Sequence, residues 1–323
     1  MLEGLKADRS NALFNNILDL SNALQSRLRT VSFENLGDMR KADLTLLLLD
    51  LRKIANSVFN YYLSSLIQWL QDYIGADREF WQVALSAHAK PIEYEDRKDD
   101  SEPFILPPFI NAPKADAIFS FAKNNPIGAN GALPLEFMQG FFNLASGRIA
   151  QETAKAFANV ETKSELLDAL IGTSPTFGGA KKKGEQDSLL QLLARQGDAM
   201  QRTVIQHVAA ASNMKVSATG FAQYLWVSVV DGHTTVICLD RNGNVYTYGE
   251  GPEPPAHIGC RSSTVPFDGT GPITMPSFTV WADGQAQEYL NAAFDGPAGS
   301  AYGGNARAMD LETFTANRSL IIA

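Results

Sequence analysis

Cysteine is almost missing from this chain: 323 residues contain two, Cys238 and Cys260. That is too few for a disulfide-built secreted fold and suits a protein made in a reducing cytosol. Positive charge is short as well, with 27 Lys and Arg against 35 Asp and Glu and a formal net charge of -8. An acidic chain is a poor general binder of DNA or of an anionic membrane, since both require a positive field, so any DNA contact has to be local. The opening residues, MLEGLKADRS, lack the apolar core of a signal peptide, and export by that route is not expected. Long apolar runs are missing too. The stretch 54–70 carries no charge, yet it holds Asn56, Ser57, Asn60, Ser64, Ser65 and Gln68, and Asp50, Arg52 and Lys53 interrupt its join to 44–51. A membrane span needs about 20 predominantly apolar residues, so an amphipathic helix is expected here. Phosphate-cradling glycine loops and Ser or Cys nucleophile motifs do not occur, and Asp168, Glu185 and Asp240 have no metal-nuclease spacing. His88 and His207 fall in helical sequence, where histidines are more often core or surface residues than bases.

What is present is enough hydrophobic material, 45% against 19% charged, to bury a core. The length suits about two domains at roughly 150 residues each. Leu47, Leu51, Val58, Tyr62, Leu66, Trp69 and Tyr73 recur at helical spacing and predict a long helix from about 42 to 74. Such a stripe serves a core or a docking surface. Between Pro91 and Pro113 the charged EYEDRKDDSEP and the proline-rich ILPPFINAP predict a loop. Helical pattern returns over 135–171. The glycine- and lysine-rich stretch 173–187 reads as a flexible linker, with Lys181, Lys182 and Lys183 as the one local positive run. A further helix is expected over 188–213, with Asp187 or Ser188 as its N-cap. Beyond it the texture is β. Leu225, Val227 and Val229 alternate with Tyr224, Trp226 and Ser228, Asn242-Gly243 has the form of a hairpin turn, and 245–248 supplies a returning strand. The expected class is therefore α+β: a mainly helical assembly region over 1–172, the linker 173–187, and a small mixed module over 188–323 with a β-hairpin and a Cys/His cluster.

That cluster is the chemistry-bearing feature. His257 and Cys260, three positions apart, can chelate one ion from a single turn, and a hairpin would return Cys238 beside them. His233 or Asp231 is the candidate fourth ligand, and zinc favours such nitrogen and sulfur donors in tetrahedral geometry. Two other readings stay open at this level: the cysteines as small buried hydrophobes, or as a disulfide formed after the protein leaves the cytosol.

The order Trp226, Asp231, Thr234, Cys238, then Gly243, then Pro254, Pro255, His257, Cys260, Arg261 and Ser262 resembles the signature of the phage Mu F-like minor head (head morphogenesis) proteins. Arg202-Thr203 upstream, and Phe278, Trp281, Gly296 and the stretch DLETFTANRSL downstream, are similar to its flanks. The likeness covers 188–323 well, 125–187 loosely and the first 120 residues hardly at all. It departs where family members carry arginine in place of His233 and further cysteines near Thr235 and Ser262, so a four-cysteine site is excluded.

The resemblance implies a low-copy virion protein, made in the host cytoplasm and placed at the portal vertex of the head. Its implied partners are the portal and other head proteins, in multiple copies set by portal symmetry, with a role in assembly and in DNA packaging or ejection. It implies no enzymatic activity. Arg261 is expected to act as an ion-pair or hydrogen-bond staple. Lys181, Lys182 and Lys183 are the expected local DNA contact, and a membrane partner is not expected. Two alternatives from other classes are an ejected internal protein that contacts the host envelope and a zinc hydrolase with water in an open coordination position.

Overall fold

Helix-period burial decides most of this chain. In the computed structural model, which describes residues 2–32, 34–88, 112–172, 187–229 and 234–269, the expected long helix runs over Lys41–His88. The element order is α1 (Leu2–Arg29), a short 3-10 helix (Leu36–Asp38), α2 (Lys41–His88), α3 (Ala115–Asn124), α4 (Pro134–Ala158), α5 (Lys163–Leu170) and α6 (Leu189–Ser217). Then come β1 (Gln223–Val227), α7 (Val236–Arg241), β2 (Val245–Thr247) and β3 (Ser263–Phe267). The class is α+β, mainly helical with a small antiparallel sheet and the Cys/His cluster in the C-terminal part. No helix among the described residues is long and apolar enough to cross a membrane. The loop expected at 91–113 lies largely outside the described residues, as do Lys181, Lys182 and Lys183 and the side chain of His88.

Two compact units form, and each has its own interior. Unit one takes Met1–Trp69 with Ala132–Ile205, and unit two the described parts of Leu70–Gly131 and Gln206–Ala323. The division falls inside α2 and α6, because each of these helices is long enough to supply residues to both interiors. It does not follow the segment order 1–172, 173–187 and 188–323, since adjacency along the chain and packing in space are different properties. The linker illustrates the point. A Cβ built on Gly172 would stand 3.2 Å from Ser188 Cβ, so the residues flanking that stretch meet within unit one.

In unit one the buried line of α2 is Leu47, Leu51, Ala55, Phe59, Tyr62 and Leu66. The sequence stripe found its edges, while Val58 and Trp69 are only half-buried and Phe59 is fully inside. Leu13, Ile17, Leu20, Leu24 and Leu28 form the matching face of α1, and Met138, Phe141, Phe142, Ala145 and Ile149 that of α4. Phe59 stacks on Phe142 with centroids 4.7 Å apart, and Tyr62 meets the same ring edge-on at 6.1 Å. Two polar contacts set the register between these faces: Asn16 Nδ2 donates to Val58 O at 3.2 Å, and Ser146 Oγ to Asn56 Oδ1 at 2.6 Å. Two helix starts are capped by side chains. Thr162 and Glu165 form a reciprocal capping box on α5. Ser188 and Gln191 do the same for α6, where Ser188 N donates to Gln191 Oε1 at 3.0 Å, so Ser188 is the N-cap.

Phe142 carries three ring contacts in a closed interior. Phe142→Ala is expected to destabilise the protein by about 3–5 kcal/mol, the cost of a cavity at a buried aromatic. Urea unfolding followed by circular dichroism checks it, and an unchanged midpoint would mean the stack contributes little.

Candidate metal centre

The site is built inside unit two, and it starts from a strand whose alternate side chains are buried. On β1, Tyr224 and Trp226 are fully enclosed while Gln223, Leu225 and Val227 are half-buried. The sheet order is β2-β1-β3, both pairings antiparallel, with Trp226 opposite Thr264. Trp226 directs both backbone groups to the β2 side: its N–H donates to Asn244 O at 3.0 Å and its carbonyl accepts from Gly243 N at 2.9 Å. Thr264, across from it on β3, therefore points its own backbone groups outward. Asn213 Nδ2 on α6 donates to that Thr264 carbonyl at 3.0 Å, and Gln206 Nε2, two turns earlier, donates to Ser262 O at 2.6 Å. Both amides are buried. The outer edge of the sheet is thus satisfied by side chains of the helix, as a buried edge requires.

The antiparallel β1–β2 pair is present as the sequence suggested, but Asn242-Gly243 is not its two-residue turn. A short helix, α7, is inserted between the strands, and Cys238 stands on that helix. Val236 and Leu239 are spaced one turn apart and both are buried, which favours helix over strand for these residues. Gly243, at φ 80, follows the C-cap Asn242 and takes the left-handed position that ends α7. The Asn242 side chain is used too, its Oδ1 accepting from Ser228 N at 2.9 Å.

His257 and Cys260 come from one turn. Cys260 N donates to His257 O at 3.1 Å, and Gly259, at φ 75, takes the third turn position, where a positive φ is needed. Tyr224 OH holds the segment leading into it by donating to Pro252 O at 2.6 Å, and Pro254 and Pro255 are buried. Cys238 Sγ lies 3.6 Å from Cys260 Sγ and 3.2 Å from His257 Nε2, and all three donor atoms fall within 4.8 Å of one another. For comparison, zinc bonds of ~2.3 Å to sulfur and ~2.0–2.1 Å to nitrogen at tetrahedral angles place two sulfurs ~3.8 Å apart and sulfur and nitrogen ~3.5 Å apart. The two distances from Cys238 are slightly shorter than these edges, and the three groups can hold a metal ion.

The orientation of the imidazole suits that use. His257 Nδ1 is 3.0 Å from the Ile258 carbonyl, which requires Nδ1 to be the donor and turns Nε2 with its lone pair to the sulfurs. Both cysteines are buried and free. As neighbours they divide their protons unequally. The hydrogen bond from Cys238 holds the Cys260 thiol well below its ordinary pKa against the opposing effect of burial, with His257 adding to the shift. Cys238 is pushed up by the bond to Cys260, by burial and by the Cys260 charge, while hydrogen bonds from Ser262 and Thr235 work the other way. At His257 burial opposes the charge, but the hydrogen bond and charge of Cys260 outweigh it and raise the pKa. The Cys260 thiol is thus the more acidic of the two, and a divalent ion would stabilise a thiolate in a place largely closed to water.

Around the sulfurs the structure is tightly tied. Trp226, Cys238 and Cys260 form one buried cluster with Tyr246 and Ala256 against it, and the Arg241 guanidinium lies 5.1 Å from the centre of the Trp226 ring. Ser228 is the hub. Its Oγ accepts from Trp226 Nε1 at 2.9 Å, donates to Cys238 O at 2.7 Å and lies 3.0 Å from Ser262 Oγ.

Of the residues read from the sequence, Cys238, His257 and Cys260 converge. Trp226 packs in one cluster with the sulfurs, Gly243 follows the end of α7, Pro255 is buried, and Arg261 is half-buried beside His257. Thr234 Oγ1 donates to Val229 O. His233 and Asp231 lie outside the described residues, and the metal-competent group among the described ones has three members. Sequence reasoning missed Ser228, Asn242, Gln206, Asn213 and Arg241. A signal for two of them existed: Gln206 and Asn213 are polar and seven residues apart, on one face of an apolar helix. His207 is a core histidine, its Nε2 2.9 Å from Ala122 O and its pKa lowered by burial. No family model, no curated protein and no solved structure matches the chain.

Ser228→Ala would leave the Trp226 indole N–H without its partner inside the cluster and the Cys238 carbonyl with the Asn242 N–H alone. An expected loss of about 1–3 kcal/mol follows from stranding buried polar groups. Thermal unfolding of the variant tests it, and wild-type stability would show that other groups take over these bonds.

Proposed function

We propose that this chain is a structural component of a bacteriophage head, of the Mu F-like minor head kind, that acts by binding rather than by catalysis. In this reading its C-terminal module is pinned by zinc on Cys238, His257 and Cys260. The observation that supports it is convergence. Trp226, Cys238, His257 and Cys260, four residues of the order that resembles the family signature, come together around two buried sulfurs and a half-buried imidazole. Mixed sulfur and nitrogen donors suit zinc over the hard cations, which take oxygen. Two enclosed sulfurs suit a pin that stabilises a small sheet. The proposed partners are the portal and neighbouring head proteins, met by the helical part, with Lys181, Lys182 and Lys183 as the local exception to an acidic surface. The proposed place is the virion, at the portal vertex.

A hydrolytic zinc site also uses three protein donors. It needs in addition a base placed to activate water, for which Asp231, outside the described residues, is the candidate, and retained folding and metal with lost hydrolysis in Asp231→Asn would favour that reading. The two enclosed sulfurs favour the structural reading.

Two measurements test the two halves. Purified full-length protein is expected to carry one zinc per chain by elemental analysis, and Cys260→Ala to lose it with a lower melting temperature. Equal zinc and equal melting in the variant would overturn the metal assignment. For the head assignment, quantitative mass spectrometry of purified particles is expected to find the chain in low, reproducible ratio to the portal. Its absence from mature particles would remove that assignment and return a transient assembly factor or an enzyme to consideration.

A further inference from the structure

Cys238 and Cys260 are the only cysteines in the chain, both are free, and their sulfurs are 3.6 Å apart. Any disulfide formed within one molecule therefore joins these two. Cys238 sits on α7 and Cys260 at the end of the His257 turn, 22 residues later, so a bond between them ties together the same two elements that a shared metal ion would.

We infer that the two sulfurs are alternative pins: they hold the metal under reducing conditions and close on each other as a disulfide when a hydroperoxide oxidises them, releasing the ion. This rests on the metal reading above. A disulfide bond is ~2.05 Å long, so the sulfurs must approach by about 1.5 Å, a distance within reach of rotation about the Cα–Cβ bonds and a small shift of backbone. The chemistry balances with hydrogen peroxide as oxidant. The Cys260 thiolate attacks one peroxide oxygen; a sulfur–oxygen bond forms, the oxygen–oxygen bond breaks and hydroxide leaves, giving a sulfenic acid. The Cys238 thiolate then attacks that sulfur; the sulfur–sulfur bond forms and a second hydroxide departs. Two electrons pass from the sulfur pair to the peroxide. The ion, left with His257 alone of the three donors, dissociates.

The device fits a protein that meets two redox environments. A chain made in a reducing cytosol keeps its thiolates for metal, and the same chain in an oxidising medium outside the cell loses that ligand pair. With the sulfurs already adjacent, the module stays closed in both, since the cross-link bounds the same 22-residue separation.

The test uses the full-length protein, first reduced and assayed for zinc, then treated with hydrogen peroxide. Expected are loss of the zinc, a fall in reagent-accessible thiols of the denatured chain from two to none, and a Cys238–Cys260 cross-linked peptide lighter by two hydrogens. Reduction with added zinc is expected to reverse all three. The oxidised, metal-free form is expected to melt above the reduced, chelator-stripped form. Zinc absent before treatment would remove the metal reading and this inference with it. Zinc present at the start, followed by surviving thiols or by sulfinic acids on separate cysteines, would overturn the inference and leave the metal reading standing. A cross-linked form that melts no higher than the stripped reduced form would overturn the role as a pin.

Discussion

Two sulfurs and an imidazole are held together where water is largely excluded, and unit two is arranged around that fact. Sulfurs 3.6 Å apart in an enclosed cluster cannot both carry full negative charge without a cation or a shared proton. Every nearby hydrogen bond serves to keep the three groups in place. Ser228 fixes the Cys238 end, the Ile258 carbonyl fixes the imidazole, and Gln206 fixes Ser262 just beyond Cys260. Trp226 closes the cluster with its ring and closes the β1–β2 side with its backbone. One residue thus links sheet register to metal-site geometry.

The sheet is too small to be stable alone; three short strands bury little apolar area. Its outer strand is covered by α6, which answers the exposed carbonyls of Ser262 and Thr264 with Gln206 and Asn213. The same helix supplies Leu193 and Val204 to unit one. A helix of 29 residues has room for both tasks, and α2, at 48 residues, does likewise. The stability of such helices in a folded protein comes mainly from the faces they bury rather than from propensity. In α2 that is a line of large side chains at three- and four-residue steps, from Leu47 to Ile74.

Pinning a small sheet by metal or disulfide is a way to gain rigidity when apolar area is limited. Both sulfurs of the group are buried, so a pin made from them lies inside the module. The proposed exchange of metal for disulfide rests on sulfur being the donor most sensitive to oxidation.

The sequence alone determined the helical periodicity, the α+β class and three residues, Cys238, His257 and Cys260, that together could hold a metal ion. Each rests on local information: 3.6-residue spacing, strand alternation, and the His–x–x–Cys separation that one turn can close. It narrowed the N-cap of α6 to Asp187 or Ser188, and the reciprocal Ser188–Gln191 bonds decided for Ser188. Only the tertiary structure decided that Cys238 rides on a helix, since 236–241 is too short for its period to be told from a strand until Val236 and Leu239 have something to pack against. Tertiary structure alone also decided that Phe59 and not Val58 is central, that compact units cut through α2 and α6, and that Ser228 is the hub of the centre. A serine in a strand looks like any other polar residue until its neighbours arrive. Its importance comes from three groups brought to one oxygen from positions 226, 238 and 262, and no local pattern encodes that meeting.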